Sequence, residues 1–324
     1  MTAQFPDPET IWTALSLAIR APSVHNSQPW RWEVGDRSLH LYADTTRHLS
    51  HADPDRRDLL VSCGASLHHA TVALAALGWQ SKVRRLPNPA DPSHLASIHA
   101  SRYEPSDVDV SLAAAIPRRR TDRRLFSYWP VPRADIATIG ARAARMGVRL
   151  RHVEMTTDIK AIVAQSMRQH LQDAEYLTEL TRWSGRYGST AGVPARNSPD
   201  FEPTAPLPGR IFAGTALAQP AGATVAADHA VLVALGTSAD DDVDRLRAGE
   251  ATSMALLTST CLGLSSCPVT EPLEIAETRE AIRSEVFGGT DYPQMMLRIG
   301  WAPVGADPLP STPRRPLNEV IITR

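Results

Sequence analysis

The chain has 324 residues, 43% of them hydrophobic, and a formal net charge of −1. This is enough apolar material for one large domain or two ordinary ones, and the near-neutral balance argues against a nucleic-acid partner. Three cysteines, Cys63, Cys261 and Cys267, suggest free thiols in a reducing compartment. An acidic, proline-containing start and the lack of any apolar run near the roughly 20 residues of a membrane span point to a cytoplasmic protein with no membrane partner.

Asp7-Pro8-Glu9 reads as an N-cap, a proline at the first helical position and an acidic first turn. Ile11, Leu15, Ala18 and Ile19 then recur at helical spacing. The loop that follows runs Ala-Pro-Ser-Val-His-Asn-Ser-Gln-Pro-Trp over 21–30. Pro22 and Pro29 stiffen it, and Ser23, Asn26 and Gln28 offer compact donors and acceptors. Alternating stretches at 31–34 and 38–43 predict a hairpin about Gly35-Asp36. Residues 44–58, rich in His and Arg, predict a surface loop.

Leu60, Cys63, Leu67, Ala70, Leu74 and Leu77 mark one face of a strong helix that Gly78 closes. Strands follow at 80–86 and 94–100, then a short helix at 111–116 and the basic run Arg118-Arg119-Arg120-Thr121-Asp122-Arg123-Arg124. A helix at 136–146, a strand at 148–153 and one long helix at 158–183 come next. From 184 to 219 Gly, Pro, Ser and Thr replace regular periodicity, while Trp183, Tyr187, Phe201 and Phe212 supply large aromatics. So long a loop is usually functional, and this one is expected to act as a lid. The chain closes with a strand at 229–235, a helix at 249–262, a strand to 269, a helix at 275–287, a strand at 294–299 and an extended tail from 308.

The chain also carries signs of duplication. With Gly64 placed over Gly249, Ala70 meets Ala255, Leu77-Gly78 meets Leu262-Gly263 and Ser81 meets Ser266. Each segment is a helix closed by Leu-Gly and followed by a strand. The first half keeps the Pro-Ser-x-x-Asn loop and lacks an arginine run, and the second half does the reverse. Neither a G-x-G-x-x-G nor a G-x-x-x-x-G-K-S/T motif is present, and the His and Cys spacings do not suit a metal site.

The loop at 21–30 matches every fixed position of the A-P-S-x-x-N-x-Q-P-W pattern of the FMN-dependent nitroreductase family, and the chain resembles that family elsewhere. Arg119-Arg120-Thr121-Asp122-Arg123 resembles its R-R-S-x-R phosphate stretch, with Thr for Ser. The segment from Cys261 to Glu271 is similar to its L-G-L-G-S-C segment and the following turn, and Pro313-Arg314-Arg315-Pro316 to its basic tail. The motif order resembles the duplicated, single-chain Acg-type branch.

The resemblance implies an α+β nitroreductase-like fold, with antiparallel and mixed sheets flanked by helices. Two halves, 1–110 and 111–324, would form an internal pseudo-dimer, monomeric in solution, with a single FMN. Ser23, Asn26 and Gln28 would meet the flavin's polar edge. Arg119, Arg120, Thr121, Arg123, Arg314 and Arg315 would hold its phosphate. Pro268, Thr270 and Glu271 would lie beside its reactive nitrogen. Electrons would pass from NAD(P)H to a nitroaromatic or quinone, with no catalytic side chain required. The alternative is a flavin-sequestering protein whose lid denies access to donors. The family's side chain that steadies negative charge on the reduced ring has no matching position in this sequence; Arg56 or Arg57 of the His/Arg-rich loop is the candidate for that role.

Overall fold

The computed structural model describes residues 5–185, 188–205, 207, 209–303 and 305–322. Helix α1 (Pro8–Ala18) starts where the Asp7 carboxylate accepts from Thr10 N at 2.9 Å. After the loop come β1 (Trp30–Val34), β2 (Leu39–Ala43), α2 (Arg57–Ala76), β3 (Trp79–Arg85), β4 (His94–Arg102) and α3 (Asp107–Ala115). The second run is α4 (Arg133–Ala144), β5 (Arg149–His152), α5 (Thr157–Gln172), α6 (Ala174–Trp183), β6 (Val231–Thr237), α7 (Asp242–Cys261), β7 (Ser265–Val269), α8 (Ala276–Phe287) and β8 (Tyr292–Gly300). The tail adds α9 (Leu317–Val320) and β9 (Ile321–Ile322).

The fold is α+β, with one mixed and one antiparallel sheet. The first sheet has the order β3-β4-β2-β1-β9 and the second β5-β6-β8-β7. Numbered within its own run, each sheet reads third, fourth, second, first strand, and every one of those pairings is antiparallel. Only β9 breaks the likeness. It brings the C-terminal tail across to pair with β1 in parallel, Trp32 opposite Ile321.

One apolar cluster joins α1 and α2 to the first sheet, with Trp30, Trp32, Leu41, Leu67 and Trp79 buried in it. A second joins α4 and α7 to the other sheet through Ile139, Val233, Ala255, Leu256 and Leu297. Helices α2 and α7 pack on each other where Gly64 meets Gly249. A methyl carbon on Gly64 would lie 2.1 Å from the Leu246 carbonyl oxygen, and one on Gly249 would lie 2.1 Å from that of Val61. Only glycine permits this approach of two backbones.

Several expectations are corrected. Helix α2 is buried nearly all round rather than on one face. It is apolar enough over 20 residues to pass for a membrane span by length and hydropathy, yet 83% of that apolar window is buried inside the protein. The supposed surface loop at 44–58 holds buried Asp44, Asp53, Arg57 and Asp58, because Asp53 caps α2 by accepting from Asp58 N and Leu59 N. The long helix breaks at Asp173, which leaves helical geometry and accepts from Glu175 N and Tyr176 N to start α6. Helix α7 begins at Asp242, upstream of its apolar stretch, because Asp241 caps it. The tail is not wholly extended, since it ends in α9 and β9. All three cysteines are free thiols.

Candidate functional site

A cavity of about 160 Å³ opens between α2, the 21–29 loop, the arginine run, the turn after β7 and the 184–219 segment. Val61, Ser62 and Ala65 of α2 form one wall, and Pro268, Thr270 and Glu271 form another. Ser23 lines it, held by Gln28 N donating to its Oγ at 2.9 Å. Thr121 and Arg123 also line it. Arg123 donates to Asn197 O at 3.0 Å and lies 4.9 Å over the Phe212 ring. No carboxylate pairs with Arg123 among the described residues.

A second, smaller hollow is lined by Arg20, Arg119, Arg120, Ser311, Thr312 and Arg314. None of these four arginines pairs with an acid among the described residues. Arg20 Nε, Arg119 Nε and Nη1, Arg120 Nε and Arg314 Nε are buried without a hydrogen-bond partner. Burial and the neighbouring guanidiniums push Arg119 down to about 10 and Arg314 down to about 9. Unpaired buried cations are costly, so this donor set suits an anion with several oxygens, such as a phosphate monoester.

Of the residues singled out from sequence, Ser23, Thr121, Arg123, Pro268, Thr270 and Glu271 meet at the cavity, and Arg119, Arg120 and Arg314 meet at the hollow. The other three brace the loop. Asn26, at a left-handed φ of 53°, donates to Gly192 O and Pro313 O and accepts from Arg314 Nη1 at 3.0 Å. Gln28 donates to Thr190 O at 2.8 Å and accepts from Arg315 N at 2.9 Å. Arg315 pairs with Asp44 at 3.4 Å. Arg56 and Arg57 do not line the cavity, and Arg57 is engaged by Asp58 and the Gln294 carbonyl.

The 184–219 segment supplies Pro199, Phe201, Leu207, Arg210, Phe212 and further residues to the cavity wall. Tyr187, Pro206 and Pro208 lie outside the described residues. Arg210 pins the segment down. It donates to His25 Nε2 at 2.9 Å, Tyr176 OH at 2.6 Å and Thr270 Oγ1 at 3.1 Å, and it pairs with buried Glu274. Burial opposes charge on Glu274, but Arg210 overrides it and holds the carboxyl down at about 2. Burial and the Arg210 charge push His25 down to about 3, so its ring is neutral.

No family model matches the chain. "Putative NAD(P)H nitroreductase Rv3131" of Mycobacterium tuberculosis is 60% identical over 321 residues, spanning 99% of this chain and 93% of that protein. The chain belongs to the nitroreductase family. "Putative NAD(P)H nitroreductase acg" of the same organism is 34% identical, over 98% of this chain and 96% of its own length, so the chain fits the family's Acg-type branch. Among solved structures, the FMN-dependent nitroreductase NfnB from Mycobacterium smegmatis in complex with NADPH is 17% identical and overlaps 67% of this chain and 99% of its own, with a TM-score of 0.40.

For this nitroreductase-family chain, sequence reasoning missed Arg20, His25, Asp58, Arg210 and Arg298. Arg20 had a weak signal, standing directly before the conserved-pattern loop. Arg210 is one of three arginines in the Gly/Pro-rich stretch 184–219, and only its long-range partners reveal its place. Arg298, which also lines the cavity, pairs with Asp228 and lies 4.8 Å over the Phe126 ring.

Proposed function

We propose that the chain binds one FMN, with its phosphate in the arginine hollow and its ring in the adjoining cavity. The observation that carries this reading is a set of four arginines, each with a buried nitrogen that lacks a partner and none with an acid partner among the described residues, beside a cleft walled by Val61, Ala65, Leu125, Phe201 and Phe212. Arg119, Arg120 and Arg314, with Arg20 added, hold the phosphate. Ser23, Thr121, Arg123, Thr270 and Glu271 surround the ring. When bound, FMN supplies two-electron redox chemistry. Arg123, the cation on the cavity wall without an acid, is suited to steady negative charge there. Electrons come from NAD(P)H and pass to a small aromatic acceptor, a nitroaromatic or a quinone.

The chain is its own dimer in this reading. Three features support it: the repeated strand order, the contact between aligned Gly64 and Gly249, and the exchange of tail strand β9. The first half supplies the loop, and the second supplies the arginine run and tail. The same alignment puts Glu250 where Ala65 lies and Arg85 where Thr270 lies. Arg85 and Glu250 form a two-pronged ion pair of 2.8 and 2.9 Å. Large paired side chains therefore stand at the counterpart of the cavity wall, which supports a single site rather than two.

A second reading, sequestration of the flavin, gains support from the Arg210 anchor, which holds the 184–219 segment over the cavity. An absorbance spectrum of purified protein, followed by NADPH without oxygen, tests the enzyme reading. A bound-flavin spectrum that bleaches on NADPH addition supports it. A flavin spectrum that bleaches only with dithionite supports sequestration, and no flavin binding on reconstitution contradicts both.

A further inference from the structure

Asp58, in the first turn of α2, lines the cavity and is only 2% exposed. Neither of its carboxylate oxygens accepts a hydrogen bond. Its charge partner is Arg57 Nη2, 2.8 Å from Oδ1. Arg57 is itself tied to the Gln294 carbonyl. The neighbouring Asp53 differs, because both its oxygens are filled by backbone donors at 2.8 Å. Ser62, one turn further along α2, donates to the Asp58 carbonyl and accepts from Val24 N, so its hydroxyl is used too. Among the described residues, Oδ2 of Asp58 is left as a buried polar atom with neither a hydrogen bond nor an ion pair, on a residue of the cavity wall.

The other acids and the histidine of the wall are committed elsewhere, with Asp200 accepting from Thr215 Oγ1 and Glu202 from Thr204 Oγ1. His25 is a neutral ring whose Nε2 accepts from Arg210. Glu271 faces His170 at 3.6 Å. Asp58 is faced by Arg57 on its own helix, by Asp53 and Asp55 from the preceding turn, by Glu274 from the turn after β7 and by Arg210 from the 184–219 segment. Burial raises its carboxyl, Arg57 opposes that, Glu274 adds to it, and the balance stands at about 6. Burial and the Asp58 charge raise the neighbouring Asp53 as well, to about 8, so the pair holds a proton near neutral pH, where exposed aspartates would hold none.

We propose that Asp58 is the proton donor to the acceptor's oxygen in this cavity, an inference that rests on the FMN reading above. A quinone becomes a hydroquinone by gaining a hydride equivalent and one proton. The hydride equivalent originates on NAD(P)H, which is oxidised to NAD(P)+. The Asp58 O–H bond breaks, a new O–H bond forms on the quinone oxygen, and the electron pair stays on the carboxylate. Solvent then returns the proton. A positioned acid of this kind typically contributes about 10²–10⁴ in rate.

The test compares wild type with Asp58→Asn and Asp58→Glu, each loaded with FMN and reduced by NADPH. Oxidation is followed with p-benzoquinone, which takes up protons, and with ferricyanide, which takes electrons alone. The expected result is at least a ~10-fold loss of the quinone rate in Asp58→Asn, partial recovery in Asp58→Glu and unchanged ferricyanide rates. The wild-type quinone rate should fall as pH rises through the carboxyl's titration, and the Asp58→Asn rate should not. Carbon-13 NMR of the flavin-free protein should show two aspartate carboxyls, those of Asp53 and Asp58, titrating above the usual range, with one of the two signals absent from Asp58→Asn. Equal losses with both oxidants, or no loss with quinone, would overturn the proposal while leaving the FMN reading intact. Wild type that passes no electrons from NADPH to ferricyanide would overturn the enzyme reading and this proposal with it, and FMN that fails to bind on reconstitution would overturn the FMN reading itself.

Discussion

Arg119, Arg120 and Arg314 converge from distant parts of the chain on one hollow, and Arg20 joins them from the end of α1. Arg123 belongs to the same run yet stands on the cavity wall beneath Phe212. The two groups are expected to respond differently to substitution. Arg119→Ala and Arg314→Ala should weaken FMN binding much more than riboflavin binding, by roughly 1.5–3 kcal/mol each for a lost charge-assisted hydrogen bond. Arg123→Ala should weaken both ligands alike. Calorimetric titration of each variant with FMN and riboflavin distinguishes these outcomes. The arginine run and the Pro-Ser-x-x-Asn loop were legible in sequence because contiguous residue types carry them. Arg20 was not, since a single arginine at a helix end looks like any solvated one. Arg315 was legible as basic, but its pairing with Asp44 depends on where the tail crosses the first sheet.

At the scale of elements, the contact between α2 and α7 and the anchor of the 184–219 segment fix the cavity's walls. Gly64→Ala puts a methyl carbon 2.1 Å from a carbonyl oxygen of α7. The helices must separate, so a loss of about 1–3 kcal/mol or more is expected in urea unfolding. Gly249→Ala should cost a similar amount. Arg210→Ala takes the guanidinium from Glu274, whose side chain is 1% exposed, and leaves that buried charge only the Thr270 hydroxyl and the His170 ring. That should cost about 3–5 kcal/mol and free the segment, so that NADPH reduces the bound flavin faster than in wild type. An unchanged reduction rate with FMN retained would remove the lid. Periodicity revealed most helices and strands, because apolar faces repeat along them. It could not show the break at Asp173, where a side chain diverts the backbone in a stretch still patterned for helix. Nor could it show that residues 44–58 are partly buried, because Asp53, Arg57 and Asp58 are polar residues whose partners lie inside the protein.

At the scale of the whole molecule, the two sheets share one strand order, and the aligned glycines of their long helices touch. The proposed duplication leaves only a faint alignment of two Leu-Gly-closed helices in the sequence, since little identity is needed to repeat a fold once packing positions are kept. The two runs differ at the aligned positions beside the cavity. One side offers Ala65 and Thr270 to a cavity, and the other offers Glu250 and Arg85 to each other. In the proposed reading a single chain builds one FMN site from both halves. Titration of flavin-free protein with FMN, followed by flavin fluorescence, tests it most directly. Saturation at one equivalent per chain is the predicted result, and saturation at two equivalents, or no saturable binding, would contradict it.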